Sequence, residues 1–391
     1  MKILMVNVTC GTGSTGRICT DLAVALKEQG HIVKIAYGRD LVPDSFKDFA
    51  IRIGNDASVY THVLKARLFD AAGFGSKSAT EKFIEWVKEY DPDVIHLHNI
   101  HGYYINIEVL FNYLKTCRKR IIWTLHDCWA FTGHCAFFDY VECDKWKTEC
   151  EHCPQKTEYP ARMGIDCSKR NYDLKKELFS GVQNLAIVTP SEWLAKLLKE
   201  SFLSEYPVNV IHNGIDTSTF RPTKSNIKER FGISEDIKIV LGVASVWDRR
   251  KGLEDFLKLS KLLDEKYKIV LIGLNKKQIE KLPNNILGIE RTENIQELVA
   301  WYSAADVFVN PTYEDNYPTT NLEAIACGTP VITYNTGGSP ESAELYGKSM
   351  QKGDFSQLVS AIERIGIIHP SEVDNDYLNT VKKYVELYKR A

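Results

Sequence analysis

The chain has 391 residues, 44% of them hydrophobic and 26% charged, with a formal net charge of −2. That length exceeds one ordinary core and predicts two domains, and the composition excludes a disordered or membrane-spanning chain. The near-neutral balance gives no reason to expect a nucleic-acid partner. The opening run Met1–Val8 is too short for a signal-peptide apolar region and reads as a strand. No run approaches the roughly 20 apolar residues of a membrane helix, so a cytoplasmic protein is expected. In that compartment the ten cysteines are expected as thiols or metal ligands rather than disulfides.

In chain order, strand Ile3–Val8 runs into Gly11-Thr-Gly13-Ser-Thr-Gly16 and an amphipathic helix ending near Gly30. This G-x-G-x-x-G, between a strand and a helix, suits backbone N–H groups that approach a phosphate. A dinucleotide reading also needs an acid closing the next strand, Ile32–Tyr37, and Asp40 arrives a few residues late. Ala57–Tyr90 reads as two helices broken at Gly73–Ser78. Buried strands follow at Asp93–His98 and from Arg120 to Asp127, the latter ending in His126.

The segment Cys128–Cys167 is the least regular, with Cys135, Cys143, Cys150 and Cys153 in a short polar and aromatic stretch. Such an excursion is expected to lack apolar mass for a core of its own, and one structural Zn²⁺ on four thiolates would supply folding energy. His134 or His152 can substitute as ligand, and free thiols in a packed loop are the alternative. A helix from about Asn171 and a strand Leu185–Thr189 come next. Ser191 then opens a helix whose Trp193, Leu194, Leu197, Leu198 and Phe202 share one face, read as core-facing in preference to lipid-facing.

The second half begins with strand Ile237–Val243, then Ser245 and Arg249-Arg250-Lys251-Gly252, then a helix to about Lys266. A basic triplet at a helix start opposes the dipole unless an anion binds there. Strands Lys268–Ile272, Ile286–Ile289, Asp306–Asn310 and Val331–Tyr334 alternate with helices, the mark of a parallel sheet with crossovers. Pro311–Pro340 places two polar loops at the carboxyl ends of neighbouring strands, where open α/β sheets bind ligands. Thr320 is expected as the N-cap of its helix with Glu323 as capping-box partner, and Gly328 as its left-handed end. The last helix is expected at Tyr377–Lys389.

The run D-N-Y-P-T-T-N-L-E-A-I-A-C-G-T-P-V-I from Asp315 resembles the donor-site signature of family-4 retaining glycosyltransferases. The family pattern is Glu-x7-Glu; Glu323 matches its second acid, while Asp315 stands where the first is Glu and Glu314 is one position early. Asn213-Gly-Ile-Asp216 and Phe220-Arg-Pro222 resemble the family's interdomain junction, and Thr132–Pro154 resembles a cysteine-bearing run of bacterial capsule and exopolysaccharide types. The resemblance implies a GT-B fold: two Rossmann-like domains facing across a cleft, at 1–219 (insertion 128–168) and 220–368, with 369–391 returning to the first.

It also implies a retaining, metal-independent transfer from a UDP-, GDP- or dTDP-sugar to a glycan or lipid-linked glycan, at the inner face of the plasma membrane in the latter case. Arg250 and Lys251 would neutralise the diphosphate, Glu323 would hold the ribose, and Asp315 or Glu314 the sugar hydroxyls. His126 would contact the sugar or position the acceptor. Gly13, Asn213, Ser245, Arg249, Asn316, Tyr317, Pro318, Thr319, Thr320 and Gly338 would complete the donor pocket. Catalysis needs no cofactor on this reading; zinc is structural only. The rivals are a dinucleotide-dependent oxidoreductase or epimerase using Gly11–Gly16, and a non-catalytic nucleotide-sugar-binding partner.

Overall fold

Short β-branched runs alternate with helices along the whole chain, and in a computed structural model they close into two parallel sheets. The structure describes residues 1–344, 346–365 and 377–390. One compact unit comprises Met1–His212 together with the chain from Val381; the other is Asn213–Thr380. The expected boundary at 368–369 lies outside the described residues.

The first unit holds β1 (Lys2–Asn7), β2 (Ile32–Tyr37), β3 (Ala50–Arg52), β4 (Val94–Leu97), β5 (Arg120–Thr124), β6 (Leu185–Thr189) and β7 (Val208–Val210). Their order is β3-β2-β1-β4-β5-β6-β7, and every pairing is parallel. Its helices are α1 (Gly13–Glu28), α2 (Asp56–Phe69), α3 (Lys77–Tyr90), α4 (Ile107–Leu114), α5 (Ser168–Phe179) and α6 (Glu192–Glu200). Ser191 caps α6 by accepting from Leu194 N, and Leu194 and Leu198 are fully buried, so the α6 stripe faces the core as expected.

The second unit orders β8 (Lys238–Val243), β9 (Tyr267–Ile272), β10 (Ile286–Ile289), β11 (Val307–Asn310), β12 (Val331–Tyr334) and β13 (Gly347–Met350) as β10-β9-β8-β11-β12-β13. Its helices are α7 (Ile227–Arg230), α8 (Leu253–Leu259), α9 (Lys276–Ile279), α10 (Ile295–Ala304), α11 (Thr319–Ala326), α12 (Ser339–Ala343) and α13 (Phe355–Arg364). In each sheet the strand order reverses beside the first strand, at β1/β4 and at β8/β11, the switch point where doubly wound sheets open a crevice.

The last helix, α14 (Tyr377–Lys389), belongs to the first unit from Val381 onward. There Tyr388 OH lies 2.8 Å from His96 Nδ1 and Tyr384 OH 3.0 Å from Thr124 Oγ1. These bonds satisfy polar groups of β4 and β5 that burial would otherwise penalise.

Candidate active site

The β8/β11 switch point brings the basic triplet and the acidic loop together. Arg249–Lys251 forms a 3₁₀ turn of its own, capped where Asp248 accepts from Lys251 N, and a left-handed Gly252 separates it from α8. The triplet therefore precedes α8 instead of forming its first turn, which Glu254 and Asp255 occupy, and α8 ends at Leu259, short of the expected Lys266. The turn is laced to the loop after β11: Tyr313 N donates to Arg250 O (2.8 Å) and Arg250 Nη1 to Glu314 O (3.0 Å). Lys251 Nζ lies 2.5 Å from Asp315 Oδ2, both side chains largely shielded at 20% and 15% exposure. Of the two neighbouring acids, Asp315 is thus the one the lysine selects; Glu314 is buried.

Asp315 is held on every side. Asn316 N donates to its Oδ1 (3.0 Å) and Gly338 N to its carbonyl (3.3 Å). Gly337 has φ +55°, and a Cβ there would sit 1.8 Å from the Asp315 carbonyl oxygen, so only glycine lets the loop after β12 close on it. Asn213 Nδ2 donates to Tyr317 O (3.3 Å), bringing the predicted junction residue to the same loop. Asn316, Tyr317, Pro318 and Gly338 are buried, Thr319 and Thr320 half-buried, and Ser245 and Arg249 exposed.

Two local expectations are corrected here. α11 begins at Thr319 after Pro318, so Thr320 lies inside the helix and is not its N-cap. Glu323 consequently does not close a capping box. Its Oε2 accepts from the Tyr302 hydroxyl at 2.8 Å, and the residue is only 2% exposed. Gly328 is left-handed past the end of α11, as expected.

In the first unit, β4 and β5 carry a histidine cluster that sequence reasoning reduced to His126. His98 Nδ1 lies 3.0 Å from His126 Nε2, and the His98 Nε2 atom is buried without a partner. Burial draws His126 down to about 4 and His98 well below its ordinary value, so both rings are neutral at pH 7. His101 bridges Tyr159 OH and Asp127 Oδ2 (2.9 and 2.8 Å). Alternating inward positions in a buried strand were the signal for His96 and His98, but they do not separate a core histidine from a functional one. Gly13, at φ +67°, opens α1 after the loop that follows β1.

In the Cys128–Cys167 excursion Phe131, Phe138 and Trp146 are buried, pack on one another and join the core of the first unit. The excursion thus shares the core of the first unit through these rings instead of closing one of its own. Cys135, Cys143, Cys150 and Cys153 line one small cavity with His134. A hydrogen bond from Cys135 lowers the Cys153 thiol to about 6 and raises its own. His134 Nδ1 bonds Asp70 at 2.5 Å, leaving a buried Nε2 without a partner. Among the described residues, no group of three or more His, Cys, Asp or Glu side chains stands ready to hold a metal. The donor types for zinc are present, while a closed donor set is not preformed.

Two doubly wound parallel sheets in one chain are the architecture of the GT-B fold. The chain belongs to glycosyltransferase family 4. The model described as Glycosyltransferase Family 4 matches residues 15–219, and that described as Glycosyl transferases group 1 matches 237–366. It is 25% identical over 377 residues to the putative colanic acid biosynthesis glycosyl transferase WcaC of Escherichia coli, spanning 92% of this chain and 89% of that protein. Its fold is similar to sucrose-phosphate synthase from Thermosynechococcus elongatus (TM-score 0.71, 18% identity, 99% of this chain and 98% of that one). It is also similar to Anabaena HepE, solved in complex with UDP-glucose (TM-score 0.66, 15% identity, 99% and 98%). Among the described residues no helix is long and apolar enough to cross a membrane.

Proposed function

We propose that the protein transfers a sugar, with retention, from a nucleoside diphosphate donor to a glycan of a surface polysaccharide, built on a lipid carrier. The observation that carries this is the Lys251–Asp315 pair at the β8/β11 switch point. As the glycosidic bond to the diphosphate breaks, negative charge grows on the leaving oxygens, and a fixed cation there lowers the barrier. Lys251 supplies that cation, with Arg250 beside it. Asp315, released from the lysine as the diphosphate takes its place, accepts from sugar hydroxyls. Glu323 receives the ribose diol, with Tyr302 fixing its carboxylate. His126, neutral and anchored by His98, positions the acceptor hydroxyl, which attacks the face the diphosphate leaves.

WcaC, named for colanic acid biosynthesis, supports the polysaccharide reading, and HepE, solved with UDP-glucose, supports a nucleotide-sugar donor. Side-chain cations suffice for the diphosphate on this proposal, so turnover continues in chelator. The test is hydrolysis and transfer from a panel of UDP-, GDP- and dTDP-sugars, with the product anomer read by NMR. One donor turned over with its anomeric configuration kept is the expected result. No turnover of any donor, or inversion, overturns the proposal.

A further inference from the structure

Two histidine rings at the carboxyl edge of the first sheet are placed by the strands beneath them. β4 and β5 pair in parallel with Leu97 opposite Trp123, so His98 and His126 leave adjacent strands at the same end. The backbone of His98 is fixed: its N donates to Val6 O at 2.9 Å, and its carbonyl accepts from Trp123 Nε1 at 3.2 Å. His98 Nδ1 meets His126 Nε2 at 3.0 Å, with the ring planes 13° apart and the centroids 5.3 Å apart. The rings therefore meet edge to edge, near the plane in which imidazole N–H groups and lone pairs point. Asp127, next to His126 in the chain, is engaged elsewhere: Oδ2 bonds His101 Nε2 at 2.8 Å and Oδ1 accepts from Trp129 N at 2.9 Å.

A single proton occupies the contact between the rings, and its owner fixes the tautomer of both. Both rings are neutral at pH 7, so each has one N–H and one lone pair. Were the proton on His126 Nε2, His98 Nδ1 would accept it and the N–H of His98 would fall on Nε2. That atom is buried and no protein group reaches it. A buried N–H without an acceptor is the rarer and costlier orphan. With the proton on His98 Nδ1, the orphan is a lone pair instead. His126 Nε2 then accepts, and its own N–H stands on Nδ1. Free histidine favours the opposite form, so two adjacent rings with N–H on Nδ1 are a product of this fold.

We infer that His98 is a positioning residue that fixes His126 as its Nδ1–H tautomer, making it a hydrogen-bond donor to a substrate oxygen and not a base for the acceptor's proton. This rests on the proposed role of His126 and sharpens it. The one lone pair of the neutral ring is already taken by His98, so His126 orients an oxygen without deprotonating it.

The test is long-range proton–nitrogen correlation NMR on the full chain with isotope-labelled histidine rings, in the absence of sugar and nucleotide. It reads which nitrogen of each ring is protonated, and loss of a signal in His126→Gln or His98→Asn identifies the two rings. At pH 7 both should carry the proton on Nδ1. A His126 ring protonated on Nε2, or an even mixture of forms, overturns the inference. His98→Leu removes the donor at similar volume; His126 should turn to the Nε2–H form and kcat should fall about tenfold, with donor KM within about twofold. His98→Asn returns an N–H near the Nδ1 position and should restore the Nδ1–H signal and most of the lost kcat. His98→Asp places an acceptor there and should restore neither. A His98→Leu protein whose His126 keeps the Nδ1–H form, or a rate that His98→Asn does not recover, overturns the inference and assigns His98 to packing. Should His98→Leu not fold, the wild-type spectrum and the contrast between His98→Asn and His98→Asp decide. The spectrum needs no turnover, so the tautomer can stand where the proposed transfer fails, and the reverse.

Discussion

Replacing Lys251 by alanine separates the chemical role of the ion pair from its structural one. Its ammonium lies 2.5 Å from Asp315, and both groups keep some contact with water. A charge-assisted hydrogen bond is worth about 1.5–3 kcal/mol when shielded, and partial exposure discounts this towards about 1 kcal/mol. For a unit of this size about 1 kcal/mol lowers the melting temperature by roughly 2–4 °C. The same ammonium facing a departing diphosphate is worth more. Removing one preorganised donor from a developing oxyanion costs about 2.7–4 kcal/mol, or roughly 10²–10³ in kcat.

Lys251→Ala should therefore lose at least about a hundredfold in turnover with only a small drop in melting temperature. Steady-state release of nucleoside diphosphate and a thermal melt read the two effects. A rate within about threefold of wild type, at unchanged stability, would refute the reasoning. The double variant with Asp315→Asn sharpens the test. It removes the carboxylate left without its cation, so melting should recover while the rate does not. Recovery of the rate would mean that the lysine serves only to neutralise Asp315.

Gly337→Ala places a Cβ against the Asp315 carbonyl at positive φ; roughly 1–3 kcal/mol of stability and about tenfold in donor KM should be lost, and an unaltered KM would contradict the role of Asp315. His62 Nε2 accepts from Gly73 N and Gly75 N, both at 3.1 Å, and burial lowers its pKa to about 4. Because the folded value lies below the unfolded one of about 6.5, its stability is full above pH 6.5 and lost as pH falls towards 4, by about 1.4 kcal/mol per pH unit. His126 acts in the same window and in the same direction. Melting temperature should fall steeply there, and His62→Gln should flatten the slope by about one proton; a melt independent of pH would contradict the buried neutral ring. Metal analysis of chelator-free, reduced protein tests the zinc expectation at Cys135, Cys143, Cys150 and Cys153: with no donor set preformed among the described residues, less than one zinc per chain should be found, and a full equivalent would show that the thiols rearrange to bind it.

Strands buried on both faces were the most legible part of the chain. Leu185–Thr189 and Val331–Tyr334 occur as read, because continuous apolar, β-branched runs fit the middle of a covered parallel sheet. Edge strands were legible only in part: Ile286–Ile289 occurs as read at the end of its sheet. Gly347–Met350 carries no apolar run to mark it, and what makes it a strand is its pairing with β12. The acids and the basic triplet were visible as motifs, but their meeting was not, since Lys251 and Asp315 are 64 residues apart. Glu323 shows the hazard of local rules: three residues after a threonine it looks like a cap partner, and only the fold reveals Tyr302.

The bonds that α14 makes to β4 and β5 span 292 and 260 residues of chain. During synthesis, His96 and Thr124 must therefore wait for their partners until the whole second unit has emerged from the ribosome. In a nascent first unit His96 Nε2 and Thr124 Oγ1 can bond each other, at 2.8 Å in the finished fold, while His96 Nδ1 still lacks the Tyr388 hydroxyl. Completion of the first unit thus depends on residues translated after the second unit.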